Sequence, residues 1–160
     1  MKVAVEGAVA QVHLRRIIEQ LQASRAIERF EEHDIDGYPD FSVWRGGSDR
    51  RILIVCKNAR DEDYRKAGRV IGHKVETQKT RASRTDLSSR YYPVTRSNVM
   101  AVCLGKKTGN WSDFLFAKST DLIRHPDYSD RLAVMQPVPL LSSPELGVWR
   151  SDLGEVIALL

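Results

Sequence analysis

Two strand-like runs joined by a short turn constrain this chain more than any other feature. Phe41-Ser42-Val43-Trp44-Arg45 is rich in aromatic and β-branched residues, Gly46-Gly47-Ser48-Asp49 supplies turn chemistry, and Arg51-Ile52-Leu53-Ile54-Val55-Cys56-Lys57 is a nearly continuous apolar run. The pattern predicts a β-hairpin whose second strand is the more buried. With the turn centred near residues 47–48, facing positions have numbers summing to about 95–97. Asp40 then stands across from residues 55–57, at the same end of the hairpin as Lys57.

The elements around the hairpin follow from periodicity and punctuation. Ala10, Leu14, Ile17, Ile18 and Leu21 fall at helical spacing, which predicts a helix over about 8–23 that continues, or restarts after Ser24, to about residue 32. Gly37 and Pro39 break it. Beyond the hairpin, Asn58 or Asp61 can cap a helix over about 61–71, closed by Gly72. Residues 73–80 read as a strand or as an extension of that helix. Thr95 or Ser97 is placed to cap a short helix carrying Val99, Met100, Val102, Cys103 and Leu104 up to Gly105. Strands are expected over about 111–117 and 132–138, and a last helical turn over about 154–160. The fold class is therefore mixed α/β (α+β), a central mixed sheet flanked by helices, in a single domain spanning 1–160.

Composition excludes several classes. Hydrophobic residues make up 42% and charged residues 29%, so the chain can bury a core, and no apolar run approaches the roughly 20 residues of a membrane span. No secretory signal opens the sequence, and the expected compartment is cytoplasmic. Cys56 and Cys103 lie among apolar neighbours and read as buried reduced thiols. His13, His33, His73 and His125 form no metal-binding spacing, and Gly105-Lys106-Lys107-Thr108 lacks the first glycine of a phosphate loop. Charge is more informative by position than in total. Residues 65–96 hold nine bases against two acids, a local +7 within a chain of net +4. Such concentration is the footprint of a polyanion binder. Lys79, Arg81, Arg84, Arg90 and Arg96, interleaved with serines and Tyr91-Tyr92, are the candidate nucleic-acid contacts.

Pro39-Asp40 at the start of one strand and Lys57 at the end of the next resemble the PD-(D/E)xK nuclease superfamily, to which many restriction endonucleases belong. The preceding helix and the helix expected after Lys57 match that family's core order, so the resemblance spans roughly residues 5–80. It implies a restriction-endonuclease-like core and an endonuclease that hydrolyses DNA with Mg²⁺ or Mn²⁺. Asp40 and Lys57 would be catalytic, and the partner would be double-stranded DNA met by a homodimer.

One position departs from the pattern: Val55 stands where the acid of acid-x-Lys belongs. Magnesium prefers several oxygen ligands, so another carboxylate must join Asp40 and the Cys56 carbonyl. Glu76 is the leading candidate to complete the metal and catalytic set, ahead of Glu6, Glu19, Glu31, Asp34 and Asp36. Two alternatives stand beside the enzyme: a catalytically inactive nucleic-acid-binding module that keeps the fold, and a protein-interaction domain with a basic patch.

Overall fold

A helix, a five-stranded mixed sheet and a smaller antiparallel sheet build the molecule, seen in a computed structural model that describes residues 2–78 and 86–160. Helix α1 (Lys2–Ala23) leads into strands β1 (Arg29–Glu32), β2 (Phe41–Trp44) and β3 (Ile52–Asn58). Strands β4 (Asp63–Lys66) and β5 (Arg69–Glu76) follow, then β6 (Val99–Cys103), the single turn α2 (Gly105–Thr108) and β7 (Phe114–Lys118). Strand β8 (Met135–Val138) and helix α3 (Leu153–Ala158) complete the order. The large sheet runs β1-β2-β3-β6-β7, with β3 and β6 parallel and the other neighbours antiparallel. The small sheet runs β4-β5-β8, all antiparallel.

The class is the mixed one expected, and the longer helices α1 and α3 share one face of the large sheet. On that face Leu14 and Ile18 of α1, with Leu153 and Ile157 of α3, pack against Phe41, Ile54, Ala101 and Phe116. Each aliphatic side chain removed from water there contributes about 1.5–3 kcal/mol. The opposite face is covered by the small sheet and its loops, where Val55, Met100, Val102 and Leu115 meet Val75, Tyr92, Leu132 and Val138. Strand β6 is thus buried on both sides, and all five of its residues are buried.

The hairpin keeps the expected register. Phe41 pairs with Ile54, Ser42 with Leu53 and Val43 with Ile52, and Asp40 N–H donates to the Ile54 carbonyl at 3.0 Å.

Three expectations are corrected. The helix does not extend to residue 32: Arg25 adopts a positive φ of 65°, Ala26 N–H bonds back to the Leu21 carbonyl, and β1 pairs with β2 instead. The helix over 61–71, on which the family's core order partly rested, is the β4–β5 hairpin. Its two-residue loop is Ala67-Gly68, both at positive φ, the geometry that matches strand twist. Gly72 is no helix cap; it lies in β5, where an added Cβ would stand 3.2 Å from the Val138 carbonyl of β8. The apolar run 99–104 is not a helix but β6, since a strand covered on both faces loses its alternation and imitates a buried helix.

Candidate functional site

Asp40 ends the loop that enters β2, and Cys56 and Lys57 close β3, so pairing of the two strands sets their geometry. Asp40 Oδ2 accepts the Cys56 backbone N–H at 2.7 Å. This carboxylate therefore spends one oxygen tying the hairpin end together. Burial pushes the Asp40 carboxyl above its ordinary value; the Cys56 amide and the charges of Lys57 and Arg96 oppose that rise, and Glu32 adds to it. Behind it, the half-buried His33 bonds the fully buried Ser42 hydroxyl through Nε2 at 2.7 Å, and His33 N–H bonds the Asp40 carbonyl at 2.8 Å.

Lys57 reaches to the other side of a small polar cavity of about 270 Å³. Its ammonium donates to the Tyr92 hydroxyl at 2.6 Å, and the Arg96 guanidinium lies over the Tyr92 ring, 4.1 Å from its centroid. Arg96 Nε is buried and has no hydrogen-bond partner among the described residues. Asp34 and Asp36, both exposed, lie on the loop that walls the same cavity. Two cations held on one tyrosine, beside a carboxylate tied to the backbone, form an arrangement that can grip one anionic group.

The structure brings Asp40, Cys56, Lys57 and Arg96 together and leaves Glu76 apart. Glu76 ends β5 in the small sheet, where Arg60 Nη1 lies 2.9 Å from its Oε2 and Gln78 bonds its Oε1; it does not line the Asp40 cavity. Val55 does line the cavity, but it is 3% exposed and belongs to the core against the small sheet. The expected pair of Asp40 and Glu76 does not assemble as a divalent-ion site; Asp34 and Asp36 are the other carboxylates that line the cavity. Asp40 has one oxygen committed to Cys56, position 55 offers none, and Glu76 is engaged elsewhere. Among the described residues no group of three or more His, Cys, Asp or Glu side chains could hold a metal ion.

The basic segment divides in two. Arg65, Lys66 and Arg69 are exposed at the tip of the β4–β5 hairpin, whereas exposed Arg90 and half-buried Arg96 flank the tyrosines. Lys79, Arg81 and Arg84 lie outside the described residues. Tyr92 is 5% exposed and packed, so it is a platform for Lys57 and Arg96 rather than for bases. Tyr91 packs on His125 with ring centroids 4.2 Å apart. Among the described residues, no helix is long and apolar enough to cross a membrane.

Sequence reasoning missed Tyr92 as the organiser of the cations and His33 as the support of the Asp40 strand. The first has no sequence signal, because it lies 35 residues from Lys57. The second could have been read from its place directly before the Asp40 loop. No family model, curated protein or solved structure matches the chain.

Proposed function

We propose that this chain is a nucleic-acid-binding module that grips a backbone phosphate at the Asp40–Lys57 end of its hairpin and leaves the phosphodiester intact. The observation that carries the reading is the convergence of Lys57 and Arg96 on Tyr92 at the wall of one polar cavity. A phosphate oxygen is the acceptor such a pair is suited to, and exposed Arg90 adds charge nearby in the chain. The incomplete acid set separates this reading from hydrolysis.

The test is fluorescence anisotropy with labelled duplex and single-stranded oligonucleotides over a salt series. Binding should weaken with salt, and Lys57→Ala and Arg96→Ala should each lower the slope of log K against log salt by about 1. Indifference to nucleic acid at low salt would instead point to a protein-interaction domain.

Metal-dependent endonuclease activity is the second reading, favoured by one observation. Asp34 and Asp36 lie on the loop that walls the cavity of Asp40 and Lys57. Cleavage that requires Mg²⁺ or Mn²⁺ and disappears in Asp34→Ala or Asp36→Ala would select it.

A further inference from the structure

A second cleft, of about 590 Å³, opens between the β4–β5 hairpin, α2 and the segment around residue 141. Its chemistry centres on a histidine that the nucleic-acid reading does not use. Asp63 and His73 are cross-strand partners in β4 and β5, and Asp63 Oδ1 accepts from His73 Nδ1 at 2.8 Å. Lys107 Nζ lies 2.9 Å from the same oxygen and also donates to the Asp61 carbonyl at 2.7 Å. Both side chains of the Asp–His pair are nearly buried, at 12% and 8% exposure. Burial works to raise the Asp63 carboxyl, but its bonds to His73 and Lys107 outweigh this and hold it below its ordinary value.

An ionised carboxylate can only accept hydrogen bonds, so the proton shared with the imidazole belongs to Nδ1. In the neutral imidazole this selects the Nδ1–H tautomer, whose lone pair is on Nε2. His73 lines the cleft, and its Nε2 has no hydrogen-bond partner among the described residues. The facing wall is apolar, formed by Val70, Leu140 and Leu141. Lys107 and Asp63 neutralise one another, so the cleft offers no net charge for an ion to seek. Beside the imidazole it offers an apolar surface and a few polar groups, among them the Thr108 and Ser142 side chains, the usual composition of a small-molecule site.

We propose that this cleft binds a small neutral molecule carrying one O–H or N–H donor on an apolar body, such as an alcohol or phenol, with His73 Nε2 as the acceptor. A purely structural Asp–His–Lys cluster would leave that nitrogen facing bulk water and indifferent to such ligands. The inference stands apart from the nucleic-acid reading, since none of its residues lines the Asp40 cavity.

The experiment is nitrogen NMR of the full chain with isotope-labelled histidines, titrated with phenol and, separately, with toluene. His73 is assigned by its loss in His73→Gln. The expected result is an Nε2 resonance of the unprotonated type that shifts saturably with phenol and not with toluene, while His13, His33 and His125 stay fixed. Asp63→Asn can donate from its amide to Nδ1 and so favours the other tautomer. It should weaken phenol binding about tenfold, the worth of roughly one hydrogen bond. A protonated Nε2, no saturable shift with phenol, or equal shifts with phenol and toluene would each overturn the proposal. The wild-type titration decides even if a variant fails to fold.

Discussion

Removing the Asp40 carboxylate separates its two physical roles. Asp40→Ala leaves the part-buried Cys56 N–H without the acceptor it now has at 2.7 Å, at a cost of about 1–3 kcal/mol. Asp40→Asn keeps an acceptor oxygen in nearly the same place and removes the charge. Because the folded-state carboxyl sits above its unfolded value, chiefly through burial, the wild type's favourable contribution from this group is fully present below the unfolded value. It is lost as pH rises through the folded value, whereas Asp40→Asn does not titrate. The stability of Asp40→Asn relative to wild type should therefore increase from acid to neutral pH. Thermal melts of the three proteins at pH 3.5, 5 and 7 read this, with about 2–4 °C expected per kcal/mol for a chain of this size. At pH 7 Asp40→Ala should melt lowest. Equal losses in both variants, or an Asn protein that falls behind wild type as pH rises, would refute the reasoning.

Further substitutions probe other parts of the account. Gly105→Ala would drive a Cβ to within 2.6 Å of the Trp111 ring and 2.8 Å of its Cα, and should cost about 1–3 kcal/mol in chemical denaturation. A loss under 0.5 kcal/mol would mean α2 is less tightly seated than described. Burial raises the Cys103 thiol to about 11 and the Cys56 thiol well above its ordinary value. Neither should react with a thiol-specific chromogen at pH 8 until urea is added, and rapid native reaction would contradict that. Val55→Glu places a carboxylate in the Asp40 cavity at a buried position. It should lower the melting temperature without metal and regain part of it with Mn²⁺, which should leave wild type unchanged; an equal response of both proteins would refute the missing-acid argument.

Much of the site was legible because it depends on local pairing. The turn at residues 46–49 between two strand-forming runs sets the register, and the register places Asp40 against Cys56. The long helix was legible for a similar reason, an apolar stripe from Ala10 to Ile18 that packs as its spacing requires. The rest depended on tertiary burial. Strand β6 imitates a helix because neighbours cover both its faces, and Ala67-Gly68 hides a hairpin turn in place of the more telling Asn-Gly. Glu76 was the leading candidate to complete the acid set by family resemblance, but the β4–β5 hairpin carries it into the second sheet, where Arg60 takes it up. Tyr92 and the Asp63–His73–Lys107 cluster join segments far apart in sequence, and no short motif announces them.

The central claim, binding at the Asp40–Lys57 end without hydrolysis, is tested most directly by one assay that reads binding and cleavage together. End-labelled duplex and single-stranded DNA would be incubated with the protein in Mg²⁺ or Mn²⁺, then resolved on native and denaturing gels beside Asp40→Ala, Lys57→Ala and Arg96→Ala. The account predicts retarded but intact DNA, with retardation weakened by salt and in the Lys57 and Arg96 variants. Metal-dependent cutting by wild type that vanishes in Asp40→Ala and Lys57→Ala would contradict it and make the chain a nuclease.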